Sequence, residues 1–419
     1  MRLAIFAETF LPKLDGVVNT ACYLLEHLAD QGHESIMFAP EGAPTHYAGT
    51  AITGLNAIAF PLYPELKLVP PIMDVEAELR AFQPDLLFLI NPASLGVIGL
   101  RHGRALDLPI VASYQTDLPG YAERYGMSLL REPLWAYLRW IHSQADLNLC
   151  PSYFTKAELQ EHGFERLKVW TRGVDRDRFH PRHRDDGWRE RLSGGCPEAP
   201  ILLYVGQLAP EKRVEWLRPV LDALPEARLA LVGDGPERPT LEALFGGTNT
   251  VFTGYLRGDD LSHAYASADV FVFPSASETF GNVVLEAMAS GLPAVVPNSG
   301  GPVDQVLHGE TGFLADPTDP AEFIAMTSQL ALDLPYARKM GQNARAHAER
   351  RSWDTVFDRL LADLANVIST HKPTIQRTMW AGRQADRGTS RWWTPHNSPA
   401  LLREKEKPTN NRPFMGKDR

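Results

Sequence analysis

Residues 269–291 read DVFVFPSASETFGNVVLEAMASG, and this stretch contains one complete unit of an α/β fold. The apolar run DVFVFP predicts a buried strand that ends at Pro274, and the residues from Asn282 onward predict a helix. Two glutamates, Glu278 and Glu286, lie around the turn that joins them. Because ligands of open α/β sheets bind beyond the carboxyl ends of the strands, both carboxylates are expected to face a binding crevice.

The turn between strand and helix has the features of an anion site. A helix N-terminus offers free backbone N–H groups and the positive end of the helix dipole, and Gly281 lets the backbone approach a phosphate closely. Carboxylates repel phosphate but accept hydroxyl hydrogen bonds well. Glu278 and Glu286 are therefore expected to hold sugar hydroxyls on the two sides of a diphosphate. The alternative is a solvated loop residue at 278 and a surface helix residue at 286.

The same alternation of strand and helix runs along most of the chain. It begins with RLAIFAE and a helix over residues 16–31, and it is interrupted once, by a charged segment with Pro and Gly. A chain of 419 residues is too long for one core. The predicted fold class is therefore α/β, with two Rossmann-like, doubly wound domains and an interdomain cleft. The predicted boundaries are a first domain at 1–175, a linker at 176–199, a second domain at 200–350, a C-terminal helix at 351–370 and a tail at 371–419.

Composition excludes several classes of function. A hydrophobic content of 44% and a charged content of 22% are typical of a soluble globular protein. The net charge of −9 argues against an electrostatic nucleic-acid binder. Cys22, Cys150 and Cys196 are far apart and lack a CxxC spacing, which argues against a disulfide framework or a zinc site. Neither a signal peptide nor a run of roughly 20 apolar residues is evident, so the expected localisation is cytoplasmic.

Residues 371–419 differ from the rest of the chain. They carry eleven Lys or Arg and four Asp or Glu, a net charge of +7, which leaves −16 for the remainder. Scattered Pro, Asn and Gly predict a disordered extension. The tryptophans of the tail favour an alternative, because basic residues together with Trp bind the surface of anionic membranes. The protein would then contact the inner face of the cell membrane peripherally.

The segment around the two glutamates resembles a known enzyme family. With seven residues between them, Glu278 and Glu286 match the E-x7-E motif of the family 4 retaining glycosyltransferases. The resemblance covers about residues 1–370 and implies the GT-B architecture, with the acceptor in the first domain, the nucleotide sugar in the second, and a last helix that crosses back to the first. It implies that Glu278 contacts the transferred sugar and that Glu286 binds the ribose. The turn adds the donor-binding candidates Thr279, Phe280, Gly281 and Asn282.

Other segments fit the same resemblance. AETFLPKLDGVVNT nominates Gly16, whose backbone would approach the donor pyrophosphate. VGDGP and FTGYL resemble the segments that wall the nucleotide base, which nominates Gly233 and Gly254. Each of these glycines also fits an ordinary turn at the end of a strand or the start of a helix.

The segment VGQLAPEKR resembles the G-R-x-x-x-E-K segment in which two cations neutralise the donor diphosphate. Lys212 matches the second of these cations. Gln207 stands where the family usually has Arg, so one charge of the expected clamp is missing. Either Arg213 replaces it, or the donor is bound more weakly.

The segment SYQTDLPGYAERYG, at the end of a first-domain strand, narrows the resemblance. Gln115, Thr116 and Asp117 form the Gln-Thr-Asp typical of GDP-mannose-dependent α-mannosyltransferases that act on lipid acceptors. Sulfoquinovosyl lipid synthases usually show His-Thr-His at this place. The resemblance nominates Gln115 and Asp117, beside Glu278, as catalytic candidates near the transferred sugar and the acceptor. The alternative for both is a solvated loop.

Taken together, the motifs predict a retaining transfer of a hexose, mannose from GDP-mannose, to a lipid or glycolipid acceptor. One alternative is a UDP-sugar-dependent glycolipid synthase that transfers glucose, galactose or sulfoquinovose. Another, which the Gln207 departure favours, is a non-catalytic module that binds nucleotide sugars. No cofactor beyond the donor substrate and no metal is expected. The D-x-D at residues 175–177 is interpreted as a hinge element, and no lysine carries the signature of a pyridoxal phosphate phosphorylase.

Overall fold

The first half of the chain forms a mainly parallel sheet in the computed structural model, which describes residues 1–13, 15–60, 63–124 and 126–372. The strands of this half are β1 (Arg2–Ala7), β2 (Glu34–Pro40), β3 (His46–Tyr47), β4 (Thr50–Leu55), β5 (Ile58–Phe60), β6 (Tyr63–Leu68), β7 (Leu86–Ile90), β8 (Ile110–Ser113), β9 (Leu147–Cys150) and β10 (Leu167–Val169). Within the described residues the sheet has eight strands in the order β10-β9-β8-β7-β1-β2-β4-β3. Only β3 pairs antiparallel in it, and β5 and β6 form a separate antiparallel pair.

Helices connect these parallel strands. They are α1 (Gly16–Asp30), α2 (Glu76–Phe82), α3 (Ser94–Ala105), α4 (Leu118–Arg124), α5 (Arg131–His142) and α6 (Tyr153–Glu161). The start of α1 is set by Asp15, whose side chain accepts hydrogen bonds from the N–H groups of Val17 and Val18, both at 2.9 Å. Its apolar face buries Leu24 and Leu28 against the sheet.

The second half forms an all-parallel sheet. Its strands are β11 (Ile201–Val205), β12 (Arg228–Val232), β13 (Thr250–Gly254), β14 (Val270–Val272), β15 (Ala294–Pro297) and β16 (Gly312–Ala315). In the described part of the chain their order is β13-β12-β11-β14-β15-β16. The direction of winding reverses beside β11 here and beside β1 in the first sheet. In open α/β sheets the ligand crevice lies beyond the carboxyl ends of the strands at this kind of reversal.

The helices of the second half complete the layers around this sheet. They are α7 (Asp186–Ser193), α8 (Leu217–Ala223), α9 (Arg238–Leu244), α10 (Gly258–Ser267), α11 (Asn282–Ala289), α12 (Pro320–Leu332), α13 (Leu334–Ala348) and α14 (Trp353–Thr370). The strands of each sheet are nearly free of exposed apolar side chains because helices cover both faces. The predicted fold class, two doubly wound Rossmann-like domains, is confirmed.

The segment expected to be a linker, residues 176–199, contains an ordered helix instead. Leu192 of α7 is fully buried in the core of the second sheet. Arg189 of the same helix is also buried, and its Nη1 lies 3.0 Å from Oδ1 of Asp269. The structure therefore corrects the expected linker, since α7 packs as part of the second domain. The charged sequence was misleading because one of its arginines is paired inside the protein.

The last helix packs on the first sheet. Phe357, Leu360 and Leu364 of α14 are buried together with apolar residues of β1 and α1. The start of α14 lies close against Gly173. A Cβ at this glycine would lie 2.5 Å from the backbone nitrogen of Trp353. Of the tail, residues 373–419 lie outside the described residues, and so does the expected membrane contact.

Candidate active site

The carboxyl ends of β11 and β14 bring together a lysine and a glutamate. Lys212 lies in a short 3-10 helix over Pro210–Lys212, and Glu278 lies in the loop after β14. The lysine ammonium contacts Oε1 of Glu278, and the Ser275 hydroxyl lies 3.2 Å from the same oxygen. Both charged side chains are mostly buried, with 13% and 18% of their surfaces exposed. An ion pair so shielded from water is screened much less than a surface pair.

The turn that follows Glu278 ends in a helix whose N-terminus is open. Gly281 adopts a left-handed backbone with φ of 85°, which favours glycine, and α11 begins at the next residue. Among the described residues no side chain caps this helix, so its first N–H groups remain donors for an anion. Phe280 is buried below the turn, and the amide nitrogen of Gln305 donates to its carbonyl. The hydrogen bond from Gln305 thus fixes the turn on its buried side, and the N–H groups at the start of α11 are available to a ligand.

Glu286 is partly buried and hydrogen-bonded rather than exposed on the helix surface. The hydroxyl of Tyr265 donates to its carboxylate at 2.9 Å. Burial raises the pKa of Glu286, while the Tyr265 hydrogen bond and the nearby charge of Arg178 act in the opposite direction. The alternative of a solvated surface residue at 286 is therefore wrong. A carboxylate in this setting can accept further hydroxyl hydrogen bonds.

The two domains meet at this turn. The Thr279 hydroxyl donates to the backbone carbonyl of Gln115 at 2.8 Å, and the Thr155 hydroxyl donates to the carbonyl of Thr279 at 3.2 Å. A Cβ on Gly16 would lie 2.9 Å from the side-chain nitrogen of Asn282, so the start of α1 packs closely against the start of α11. The structure brings Gly16, Thr279 and Asn282 together at the cleft, although Gly16 lies more than 250 residues before the other two in the sequence.

Gln115 and Asp117 differ from what the motif led us to expect. The Gln115 carboxamide is buried, and it is turned inward to the Ser113 hydroxyl and the guanidinium of Arg172. What Gln115 presents to the second domain is its backbone carbonyl. Asp117 accepts from the N–H of Gly120 at 2.8 Å, which stabilises the first turn of α4. The solvated-loop alternative is wrong for Gln115, but its side chain does not line the cleft as expected either.

The Arg213 guanidinium has other partners in this structure. It donates to the carbonyl of Pro317 at 2.8 Å and lies 5.2 Å from the centre of the Trp216 ring. The expectation that Arg213 compensates for Gln207 therefore stays a prediction. The backbone at Arg213 is left-handed, with φ of 52°.

Gly233 and Gly254 lie side by side at the ends of β12 and β13. The N–H of Gly233 donates to the carbonyl of Gly254 at 2.9 Å. A Cβ on Gly233 would lie only 1.9 Å from the carbonyl oxygen of Gly206, so the close approach of two backbones requires glycine there. Both glycines follow strands of the parallel sheet that also precedes Lys212, so they lie on the same edge of that sheet.

The sequence did not reveal three polar residues at the cleft. Glu8, directly after β1, accepts from the N–H groups of Ala93 and Gly96 at 2.6 and 2.8 Å and so caps α3. Its place after a strand of the reversal point was a signal that could have found it. Burial raises the pKa of Glu8, although these hydrogen bonds oppose the shift. Tyr265 and Arg178, the partners of Glu286, carry no local signal because only the fold brings them there.

In the part of the chain that the structure describes, no group of three or more His, Cys, Asp or Glu side chains could hold a metal ion. None of the helices described is long and apolar enough to span a membrane.

The chain matches known proteins along both halves. Residues 14–178 match the family described as Glycosyltransferase Family 4, and residues 199–333 match the family described as Glycosyl transferases group 1. A sucrose-phosphate synthase from Thermosynechococcus elongatus has a similar structure, with a TM-score of 0.74, 21% identity, and coverage of 88% of this chain and 99% of that one. This likeness concerns the fold.

Two relatives are similar in sequence along most of the chain. A GDP-mannose-dependent alpha-mannosyltransferase of Mycolicibacterium smegmatis is 40% identical over 375 residues, which cover 88% of this chain and 98% of that protein. The sulfoquinovosyl transferase SQD2 of Arabidopsis thaliana is 40% identical over 366 residues, covering 84% of this chain and 71% of that protein. With the E-x7-E glutamates at the open end of α11 and a GT-B fold around them, the chain belongs to the family 4 glycosyltransferases and is a retaining hexosyltransferase.

Proposed function

We propose that this protein transfers mannose from GDP-mannose, with retention, to a lipid or glycolipid acceptor. The observation that carries the proposal is the Lys212–Glu278 contact beside the uncapped N-terminus of α11. One cation, one row of free N–H groups and one carboxylate that can hold a sugar hydroxyl are what a sugar diphosphate needs. The identity to a GDP-mannose-dependent relative along 98% of its length supports the choice of sugar and nucleotide.

The residues suit a reaction in which the leaving diphosphate carries most of the developing charge. The Lys212 ammonium and the first N–H groups of α11 stabilise that charge as the glycosidic bond breaks. Glu278 holds the transferred sugar, and Glu286 holds the ribose. The acceptor hydroxyl attacks the anomeric carbon from the face that the diphosphate leaves, and a phosphate oxygen takes its proton. No metal ion is needed in this scheme, because the lysine and the helix supply the positive charge.

The structure supports a separate role for each domain. Thr279 and Asn282 of the second domain meet Gln115 and Gly16 of the first. We infer that the donor turn forms one wall of the cleft and that the first domain provides the wall for the acceptor. A closed cleft excludes water, which would otherwise hydrolyse the donor. Because the donor is water-soluble and the acceptor is a lipid, we infer a cytoplasmic enzyme that contacts the inner face of the membrane peripherally.

A second candidate is a UDP-sugar-dependent glycolipid synthase. The 40% identity to a sulfoquinovosyl transferase favours it, whereas Gln115-Thr116-Asp117 in place of His-Thr-His favours mannose. The two differ in nucleotide and in sugar, so binding alone separates them.

The test is a thermal-shift panel of GDP-mannose, UDP-glucose, UDP-galactose and UDP-sulfoquinovose, followed by transfer with each donor and a lipid extract as acceptor. A ligand that binds the native state raises the melting temperature, and we expect the largest rise with GDP-mannose. Radiolabelled mannose should then appear in the lipid fraction. A larger rise and product with a UDP-sugar alone would replace the first candidate with the second.

A further inference from the structure

Arg172 is a buried cation that has no role in the reaction scheme given above. It follows β10, its surface is 3% exposed, and its guanidinium carbon lies 4.7 Å from the centre of the Trp170 ring. None of the ion pairs found among the described residues includes Arg172. Burial lowers the pKa of Arg172 to about 9, so it remains charged at neutral pH. A buried charge without an acidic partner is costly, and it persists only where the surroundings hold it in one geometry.

The hydrogen bonds of Arg172 are made to carbonyl oxygens. Nη1 donates to the backbone carbonyl of Trp170 at 2.9 Å, and Nη2 donates to the side-chain oxygen of Gln115. The side-chain nitrogen of Gln115 donates in turn to the Ser113 hydroxyl. Because only the amide oxygen can accept from a guanidinium, Arg172 fixes both the rotamer of Gln115 and the orientation of its amide.

This fixed residue is also one of the points at which the second domain contacts the first. The backbone carbonyl of Gln115 accepts the Thr279 hydroxyl at 2.8 Å, and Thr279 directly follows Glu278, the partner of Lys212. A rotation of the Gln115 backbone would therefore move the acceptor of Thr279 relative to the Glu278 loop. A shift of about 1 Å in a reacting geometry is enough to slow an enzyme substantially.

We propose that Arg172 is a positioning residue, which holds Gln115 so that its backbone carbonyl meets Thr279 and aligns the Glu278 loop with the first domain. The proposal rests on the proposed glycosyl transfer in this cleft. In this proposal Arg172 does not contact the substrate. It acts through its hydrogen bond to the side-chain amide of Gln115.

The experiment compares Arg172→Met, Arg172→Lys, Gln115→Met and the double variant Arg172→Met/Gln115→Met. Arg172→Met leaves the amide oxygen of Gln115 without this donor, so the melting temperature of every variant is measured, whereas the double variant removes both partners. We expect kcat for sugar transfer to fall at least tenfold in Arg172→Met, with the donor KM within threefold of wild type, and by more than the loss of folded protein at the assay temperature explains. Lysine, which keeps one donor, should restore part of kcat.

The double variant tests the route of the effect. If Arg172 acts through Gln115, the double variant should be no slower than the slower single variant, whereas independent roles would multiply the two losses. A purely stabilising role would give a loss of kcat that follows the melting temperature, and lysine would then restore both together. Multiplied losses, or a normal kcat in Arg172→Met, would overturn the proposal.

Hydrogen exchange supplies a measurement that does not depend on turnover. In Arg172→Met, backbone amides of residues 113–117 and 276–282 should exchange several-fold faster than in wild type, while those of β12 should not change. Unchanged exchange at 276–282 would overturn the positioning role whatever the activity. Faster exchange in a protein whose wild type transfers no sugar would leave the positioning role standing and reject the proposed function.

Discussion

At the scale of single residues, Lys212 is the cation on which the proposed reaction depends most directly. Its ammonium has three N–H donors, one of which is directed at Glu278, so the others can reach phosphate oxygens. In Lys212→Ala the charge on the leaving diphosphate loses this stabilisation. We expect kcat/KM for the sugar nucleotide to fall about 100-fold, on the order of 3 kcal/mol, in initial-rate assays of sugar transfer.

A lysine outside the cleft provides the control. Lys168 also contacts a carboxylate, Asp363, but half of its side chain is exposed at the contact between β10 and α14. Lys168→Ala should keep kcat/KM within about threefold of wild type. If Lys212→Ala retained as much activity as Lys168→Ala, the lysine would have no part in the diphosphate site.

The two glutamates should differ in the kind of loss they produce. Glu286→Gln weakens an acceptor for the ribose, so affinity should fall alike for the sugar nucleotide and for the free nucleoside diphosphate. Glu278→Gln removes a contact that only the intact donor makes, so affinity for the diphosphate should stay near wild type while turnover drops. Calorimetric titration and transfer assays measure the two. Equal losses of diphosphate affinity would contradict the division of roles.

The candidate site could be predicted from the sequence where a role follows from position along the chain. Glu278 and Gly281 were predicted because they lie in the loop after a buried strand, and the carboxyl ends of parallel strands meet at one edge. Lys212 was predicted because its segment resembles a family motif. Gln115 and Arg213 also come after strands, yet their side chains bond to Arg172 and Pro317. The direction of a side chain depends on partners that are distant in sequence, such as Arg172 and Pro317. No local pattern contains that information.

At the scale of elements, the buried contact of His142, at the end of α5, with Asn148 of β9 makes the stability of the folded chain depend on pH. The imidazole is buried, and its Nδ1 lies 2.8 Å from Oδ1 of Asn148, so the neutral ring donates this hydrogen bond. Burial lowers the pKa of His142 from 6.5 to about 4. Between these two values the unfolded chain binds a proton that the folded chain does not, so stability is present above pH 6.5 and is lost as the pH falls towards 4.

The size of the effect can be measured by substitution. The full shift corresponds to about 3 kcal/mol of unfolding free energy. In His142→Gln, whose amide can still donate to Asn148, this part of the acid sensitivity should disappear. Urea unfolding of both proteins at pH 7 and pH 4.5 gives the comparison, since other titrating groups cancel between them. An identical loss of stability in both proteins would mean that His142 takes its proton without unfolding.

Elements were predictable where their apolar period was strong. β1 is an almost continuous buried run, and its sequence RLAIFAE predicted a strand. β4 reads TAITGL, with small residues and a glycine, and it joins the sheet only because β2 offers it a free edge. α7 was mistaken for linker because its sequence is charged, although Leu192 and Arg189 face the core. In both cases tertiary contacts outweigh weak local preference.

At the scale of the whole molecule, α14 packs on the first sheet and so links residues 353–370 to the first strands and helices of the chain. Lys168 of β10 and Asp363 of α14 make an ion pair, and His27 of α1 lies 3.1 Å from Asp358 of the same helix. Beneath these contacts Phe357, 1% exposed, packs in the first core. The apolar contact should provide most of the stability, because exposed ion pairs contribute little.

Truncation of Phe357 tests how much the first domain depends on this helix. Phe357→Ala removes a buried ring from a core shared by α14, α1 and β1, and we expect it to lower the unfolding free energy by about 3–5 kcal/mol. Urea unfolding followed by tryptophan fluorescence is a suitable measurement, because Trp170 is buried in the same cluster. Leu332→Ala, at a position 78% exposed, is the control and should stay within about 0.5 kcal/mol of wild type. A loss as small as that of the control would mean that the Phe357 ring contributes little to this core, and that the stability of the first domain does not depend on this contact of α14.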